Sequence, residues 1–317
     1  MENINKADLE SFHTHLQKST RVLALCGAGL SASSGLATFR GAGGLWRTHD
    51  ATSLATPGAF ARDPGQVWQF YNYRRHKSLQ AQPNAAHYAL AELARQMPGF
   101  QCLTQNVDRL SQRADHPPEQ LQLLHGTLFE LKCEDEGCDY RETNFTDPVV
   151  PALAIPTDGS DPTSNAAKAT GKDLEISDMS VPLPSVSKDD LPHCPKCKTN
   201  LLRPGVVWFG EGLPEKVLDN IHTYFDGPDN PINPNNPYVT NEIDLIMVIG
   251  TSAKVYPAAS YIDRARYKGA RVCVINMDTN DAPRYGWHKG DWLFQGDSAV
   301  ILPELLRPVT GPVSGGM

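Results

Sequence analysis

Six apolar runs constrain this chain more than any other feature of its 317 residues. They are Val22–Cys26, Phe100–Thr104, Leu121–Leu124, Val206–Trp208, Ile243–Ile249 and Arg271–Ile275. Most are unbroken rather than alternating, which suits strands covered on both faces in a parallel sheet. Helical patterns at 7–19, 57–62, 64–78 and 84–97 supply the covering layers, the third opening on Asp63-Pro64 as N-cap and first turn. The expected fold is α/β, a parallel sheet with helices between its strands. Nearly every run ends in small, polar or ionisable residues: G-A-G, Q-N-x-D, H-G, F-G-E, G-T-S and N-x-D. Open parallel sheets bind ligands at the carboxyl ends of their strands, so these six ends are expected to converge on one crevice.

The first run passes into Gly27-Ala28-Gly29 and then small, helix-compatible residues. A strand that turns into a helix through glycines leaves N–H groups outward at a helix N-terminus, where they and the dipole favour a diphosphate. The spacing departs from G-x-G-x-x-G, since position 32 is Ala and the next glycine is Gly35. From this stretch alone, a tight strand–helix turn and a nonstandard nucleotide site both remain open. His125 ends the third run. A lone histidine is more often structural, but at a strand's carboxyl end, with an ordinary pKa of about 6.5, it can serve as a base at cellular pH.

The length allows a large domain with a smaller one. No apolar run approaches the roughly 20 residues that span a bilayer, so no membrane segment is expected. The opening M-E-N-I-N-K-A-D-L-E has no signal core and carries acids unusual in a presequence, so an intracellular location is expected, mitochondrial, cytoplasmic or nuclear. A net charge of −7 argues against direct nucleic-acid binding. Of seven cysteines, Cys26, Cys102 and Cys273 lie in apolar runs and read as small buried hydrophobes. The other four form two pairs, Cys133-x4-Cys138 and Cys194-x2-Cys197, a thiolate set for one closed structural Zn²⁺ site, with four unrelated loop thiols as the alternative. His193 beside Cys194 is surplus and expected at the surface. Residues 147–190, without an aromatic, and the turn-rich 226–237 are expected as surface loops or disordered insertions that carry no chemistry.

Taken in order, G-A-G-x-S at Gly27–Ser31, T-F-R-G at Thr38–Gly41, T-Q-N-x-D at Thr104–Asp108, H-G at His125, the paired cysteines, V-V-W-F-G-E at Val206–Glu211, G-T-S at Gly250–Ser252 and N-x-D at Asn276–Asp278 resemble the sirtuins. That family comprises NAD-dependent protein lysine deacylases. The resemblance spans roughly residues 20–305 and implies a Rossmann-like domain in parts at 1–45, 83–126 and 204–317. It also implies a small domain, made of a helical part at 46–82 and a zinc module at 127–203, the latter holding the disordered insertion.

By the same resemblance NAD, consumed as a co-substrate, would be held by Gly27, Ala28, Gly29, Ser31, Thr38, Phe39, Arg40 and Trp46. Gln105, Asn106 and Asp108 would hold the nicotinamide end, Asn106 also acting in catalysis. Gly250, Thr251, Ser252, Asn276, Met277, Asp278 and Ser298 would hold the adenosine half. His125 would be the general base. The partners would be acylated protein lysines, with Val207, Phe209, Gly210 and Glu211 pairing with substrate backbone as an added strand. Departures are Ala37 where a proline is usual, Ser33-Ser34 in place of an acid-Ser pair, and the x4-then-x2 cysteine spacing.

Tyr71 and Arg74 are i and i+3 on the predicted helix 64–78 and share a face. An arginine fork suits a carboxylate, and a tyrosine hydroxyl can add a third bond. The sirtuin branch that removes succinyl, malonyl and glutaryl groups carries Y-x-x-R in this helix, and Leu54–Phe60 also resembles it, with Ala55 leaving room for a longer chain. Removal of acidic acyl groups is therefore expected above deacetylation; the alternative within the family is a protein (histone) deacetylase.

Overall fold

The computed structural model describes residues 4–38, 45–157, 173–227, 242–278 and 286–313. Phe39 and Arg40, expected at the diphosphate, lie outside the described residues. The chain divides into two units, one of Met1–Ala37, Ala81–His125 and Leu213–Met317, the other of Thr38–Gln80 and Gly126–Gly212. Elements are numbered along the whole chain.

The first unit is a six-stranded parallel sheet of β1 (Val22–Cys26), β4 (Phe100–Thr104), β5 (Leu121–Leu123), β9 (Leu245–Ile249), β10 (Arg271–Asn276) and β11 (Trp292–Gln295). Their order is β11-β10-β9-β1-β4-β5. Successive side chains of a strand enter different cores, which explains the unbroken apolar runs. Val22, Ala24 and Cys26 join one cluster with Leu245, Met247 and Ile249. Leu23 and Leu25 join the other with Ile246 and Val248. The first core is closed by α1 (Lys6–Leu16), α5 (Ala85–Gln96) and α9 (Ser298–Thr310), and the second by α7 (Glu215–Asp226) and α8 (Ser260–Tyr267). The short α6 (Leu110–Arg113) comes after β4. From β1 the chain builds outward through β4 and β5, then returns to build the other side from β9, so the switch point lies between β1 and β9.

The second unit is organised on α4 (Pro64–Gln80), started by the Asp63 carboxylate, which accepts the Gln66 N–H at 2.9 Å. Around it lie the hairpin of β2 (Leu45–Trp46) and β3 (His49–Asp50), the helices α2 (Ala51–Leu54) and α3 (Pro57–Arg62), and an antiparallel sheet. That sheet has the order β7-β6-β8, formed by β7 (Arg141–Thr143), β6 (Gly126–Cys133) and β8 (Leu202–Val206). Trp68 of α4 donates its indole N–H to Leu202 O at 2.9 Å, and the fully buried Arg75 donates to the carbonyls of Leu128, Asn144 and Thr146.

Three sequence expectations change here. The run at Val206–Trp208 is not a strand end of the parallel sheet, and 204–212 fall in the second unit. Only Val206 of that run lies in a strand, β8, whose L-R-P-G-V is buried along its whole length in the antiparallel sheet; Val207 and Trp208 follow it outside the strand. The sixth parallel strand is instead β11, a four-residue edge strand whose W-L-F-Q alternates buried and more open positions, too short to stand out.

The described parts of 147–190 are not disordered. Asn72 donates to Leu153 O and accepts from Val149 N, Lys77 pairs with Glu175 at 2.9 Å, and His76 meets Asp147 at 2.7 Å and Asp173 at 3.0 Å. Arg47 donates to the carbonyls of Ile176, Asp178, Met179 and Val181. The segment is ordered by polar groups of α4 and of the β2–β3 turn, which its own composition does not announce.

Candidate active site

At the switch point of the first unit two glycine turns press backbone on backbone. Gly27 N donates to Ile249 O and Gly29 N to Gly250 O, both at 2.9 Å. A Cβ on Gly29 would lie 2.6 Å from Gly250 Cα, and one on Gly27 would lie 2.6 Å from Thr251 Cβ. The glycines of G-A-G therefore serve close packing of two strand ends as well as any ligand. The turn leads into a 3₁₀ helix, Ala28–Ser34.

The Q-N-x-D loop is tied to the same turns. Gln105 N donates to Cys26 O at 2.9 Å, and its side-chain amide reaches Thr251 Oγ1 at 3.2 Å. Ser31 Oγ donates to Asp108 Oδ2 at 2.6 Å and accepts from Asn106 Nδ2 at 3.2 Å. Beside it stands His87, buried and not anticipated from the sequence, with Nε2 3.4 Å from Ser31 Oγ and Nδ1 accepting the Asn84 N–H at 3.2 Å. Burial pulls its pKa down to about 4 against the opposing pull of Asp108, so the ring is neutral at cellular pH. The helix-start spacing N-x-x-H, a reciprocal cap on α5, is the signal that could have found it.

Thr251 O accepts from the Asn276 amide at 3.4 Å, and Ser298 Oγ donates to Gly29 O at 3.4 Å. The sheet thus brings Gly27, Ala28, Gly29, Ser31, Gln105, Asn106, Asp108, Gly250, Thr251, Ser252, Asn276 and Ser298 to one end of its strands, while Met277 and Asp278 are exposed just beyond β10.

His125 lies just past β5, whose pairing continues as Leu124 N donates to Thr104 O at 2.9 Å. Its Nδ1 lies 3.2 Å from Gln105 O, so Nδ1–H donates there and Nε2 keeps the lone pair. Burial holds its pKa below the usual 6.5, partly offset by that carbonyl. A half-buried, half-fixed imidazole with Nε2 as acceptor is built to take a proton.

In the second unit, Tyr71 and Arg74 lie on one face of α4, as expected. Tyr71 is 1% exposed and its phenol oxygen accepts the Trp208 indole N–H at 2.9 Å. Burial pushes the phenol pKa up to about 12, against the pull of Arg74 and Trp208. Ala55 is buried, and its carbonyl accepts the Phe209 N–H at 2.9 Å. Glu211 N donates to Trp208 O at 3.0 Å, and its carboxylate accepts from Arg203 and from Trp208 N. The N–H groups of Phe209 and Glu211 are thus already engaged, and an added strand would draw on the carbonyls and on Val207 and Gly210. Trp46 is packed edge-on against Phe70 at 5.7 Å in this unit, and Thr38 opens it.

The four expected thiols come together, their sulfurs all within 4.8 Å. Cys133–Cys197 and Cys138–Cys194 are each 3.8 Å apart. A tetrahedron with Zn–S bonds of about 2.3 Å has sulfur–sulfur edges of about 3.8 Å, so the set fits Zn²⁺. Backbone N–H groups of Thr199 and Asn200 draw the Cys197 thiol down to about 6, while burial and the neighbouring thiols push Cys133 up to about 12. His193 is exposed and takes no part in this group.

A doubly wound parallel sheet with an irregular glycine turn at its switch point, joined to a four-thiol module, defines a class of nonstandard nucleotide-binding α/β proteins. The chain belongs to the Sir2 family, whose model matches residues 27–257. It is 42% identical to an NAD-dependent protein deacylase of Candida albicans over 96% of this chain and 99% of that protein. It is 36% identical to the mitochondrial NAD-dependent protein deacylase sirtuin-5 of Canis lupus familiaris over 97% and 88% of the two chains. Among solved structures, a Sir2 homologue in complex with NAD superposes with a TM-score of 0.70 at 32% identity, covering 98% of this chain and 96% of the other.

Proposed function

We propose that the protein is an NAD-dependent protein-lysine deacylase that prefers succinyl, malonyl and glutaryl groups over acetyl. Bound NAD would supply the ribose that takes up the acyl group and, together with one water, would be consumed, giving nicotinamide, O-acyl-ADP-ribose and free lysine. Gly27, Ala28, Gly29, Ser31 and the Gly250–Ser252 turn cradle the dinucleotide, and Asn276 to Asp278 and Ser298 serve its adenosine end. Asn106 and Asp108, braced through Ser31, hold the carboxamide. His125 Nε2 takes the proton of a ribose hydroxyl, its Nδ1–H anchored on Gln105 O. Tyr71 and Arg74 bind the distal carboxylate of the acyl group, and Val207, Phe209, Gly210 and Glu211 bind the peptide.

The acyl preference rests on one observation: a buried tyrosine hydroxyl beside an arginine on one face of α4, a pair with no purpose toward a methyl-ended acetyl group. The relatives named NAD-dependent protein deacylase and sirtuin-5 support it, and the mitochondrial designation of the latter supports an intracellular location, mitochondrial or cytoplasmic. Incubation of the protein with NAD and peptides bearing succinyl, malonyl, glutaryl or acetyl lysine, with nicotinamide and peptide followed by mass, tests this. The succinyl peptide is expected to have the higher kcat/KM, and Arg74→Met is expected to lower it by about 2–5 kcal/mol of transition-state binding, roughly 30-fold or more. Equal rates on acetyl and succinyl, or an Arg74→Met enzyme with intact desuccinylation, would overturn the preference.

A further inference from the structure

Trp208 lies in V-V-W-F-G-E, between residues assigned to the peptide, yet has no part of its own in binding or turnover. It is 2% exposed and carries one polar side-chain atom, the indole N–H, which can only donate. That hydrogen goes to Tyr71 Oη at 2.9 Å. Once the oxygen accepts there, the tyrosine's own O–H must point away from Trp208, and among the described residues it has no acceptor. A buried hydroxyl without an acceptor is costly, so it stays in place for something that arrives.

Trp208 is itself held rigidly. The Arg203 guanidinium lies 3.3 Å from the centre of its ring, Phe60 packs at 5.3 Å, and Trp208 N donates to Glu211 Oε2 at 2.8 Å. Arg203 in turn donates to the Glu211 carboxylate and to Val206 O at 2.9 Å. Burial raises the Glu211 carboxyl pKa, but the Arg203 and Trp208 bonds draw it back below the ordinary range, so Glu211 is charged and the frame is complete at cellular pH.

Resting on the proposed acyl preference, we infer that Trp208 is a specificity-positioning residue: its indole N–H fixes the Tyr71 hydroxyl so that the phenol proton is presented to the carboxylate of an acidic acyl group. Donation into the oxygen also polarises the O–H and makes it a better donor to an anion. Acetyl-lysine has no group to accept that proton, so the device acts on the ratio of substrates and leaves the common chemistry alone.

The test compares succinyl and acetyl peptides on the wild type, Trp208→Phe, Tyr71→Phe and the double variant, together with a protein carrying benzothienylalanine at 208. That analogue keeps the bicyclic ring under Arg203 and removes only the N–H, so it serves where Trp208→Phe disturbs folding. The expected result is a roughly tenfold fall in the succinyl-to-acetyl ratio of kcat/KM for both replacements at 208, since one bond to a charged group is weakened. Deacetylation should stay within about twofold, and in the Tyr71→Phe background the change at 208 should leave the ratio unaltered. Succinyl and acetyl rates that fall in parallel, or a loss at 208 that persists without the Tyr71 hydroxyl, would overturn the inference while leaving the acyl preference standing. A wild type that does not prefer succinyl over acetyl would overturn both.

Discussion

Replacing Gly29 by Ala separates two reasons for a glycine in the first turn. If the glycine served only the approach of a dinucleotide, the methyl would weaken NAD binding and leave the empty protein as stable as before. The structure gives a different expectation. The added Cβ would lie 2.6 Å from Gly250 Cα and 2.9 Å from Gly250 O, whereas carbon atoms pack best at about 3.5–4.0 Å. The neighbour is backbone, so no rotamer change relieves the contact and the β1 and β9 ends must part by about 1 Å. That movement also strains the bond from Gly29 N to Gly250 O. Overpacking of this kind costs about 1–3 kcal/mol and a lost hydrogen bond about 1 kcal/mol more, offset by about 0.4–1 kcal/mol from a less flexible unfolded chain. A net loss of about 2 kcal/mol is expected in urea unfolding of the NAD-free protein followed by circular dichroism. An unchanged unfolding midpoint with a raised KM for NAD would refute the packing argument.

Other outcomes concern the buried histidines, the base and the thiols. His87 and His116 are both drawn down to about 4 by burial, from an ordinary 6.5. Their folded forms bind protons less readily than the unfolded chain, so stability is full above pH 6.5 and is lost as pH falls toward 4. Unfolding free energies at pH 7 and pH 5 should differ by about 2 kcal/mol per histidine, and a flat profile across that range would contradict their burial as neutral rings. Because His125 is held below its ordinary value, the acid limb of kcat/KM should have its midpoint below pH 6.5, and His125→Tyr should lose about 10²-fold or more in turnover while still binding NAD. Removal of metal by a chelator should expose Cys133, Cys138, Cys194 and Cys197 together to a thiol reagent and unfold the β6–β8 sheet; thiols that react equally before and after would exclude a shared ion.

Much of the site was legible in the sequence because its residues sit next to strand ends, and strand ends are marked by a change of composition. The turns at Gly27, Gln105, His125, Gly250 and Asn276 could be placed in this way, and the paired cysteines announced a metal site by spacing alone. Tyr71 and Arg74 could be put on one face because helical periodicity is a local property. Expectation failed where local pattern gave too little. β8 is L-R-P-G-V, buried along its whole length although Arg203 stands inside it, and it pairs antiparallel with β6; the apolar run at Val206–Trp208 marked only its last residue. The described parts of 147–190 looked too polar to order, but their partners are polar groups on α4, distant in sequence: Asn72 with Leu153, His76 with Asp147 and Lys77 with Glu175.

By itself, then, the sequence determined the alternation of strands and helices, the positions of the polar turns, the four thiols and the pairing of tyrosine with arginine, all set by short-range spacing. Tertiary structure alone decided which strand ends meet at the switch point, why Gly29 and Gly250 must both lack a side chain, which nitrogen of His125 is basic, that His87 braces Ser31, and that Trp208 turns the hydroxyl of Tyr71. Each of these depends on hydrogen bonds and close contacts between residues far apart along the chain, whose distances no local pattern encodes.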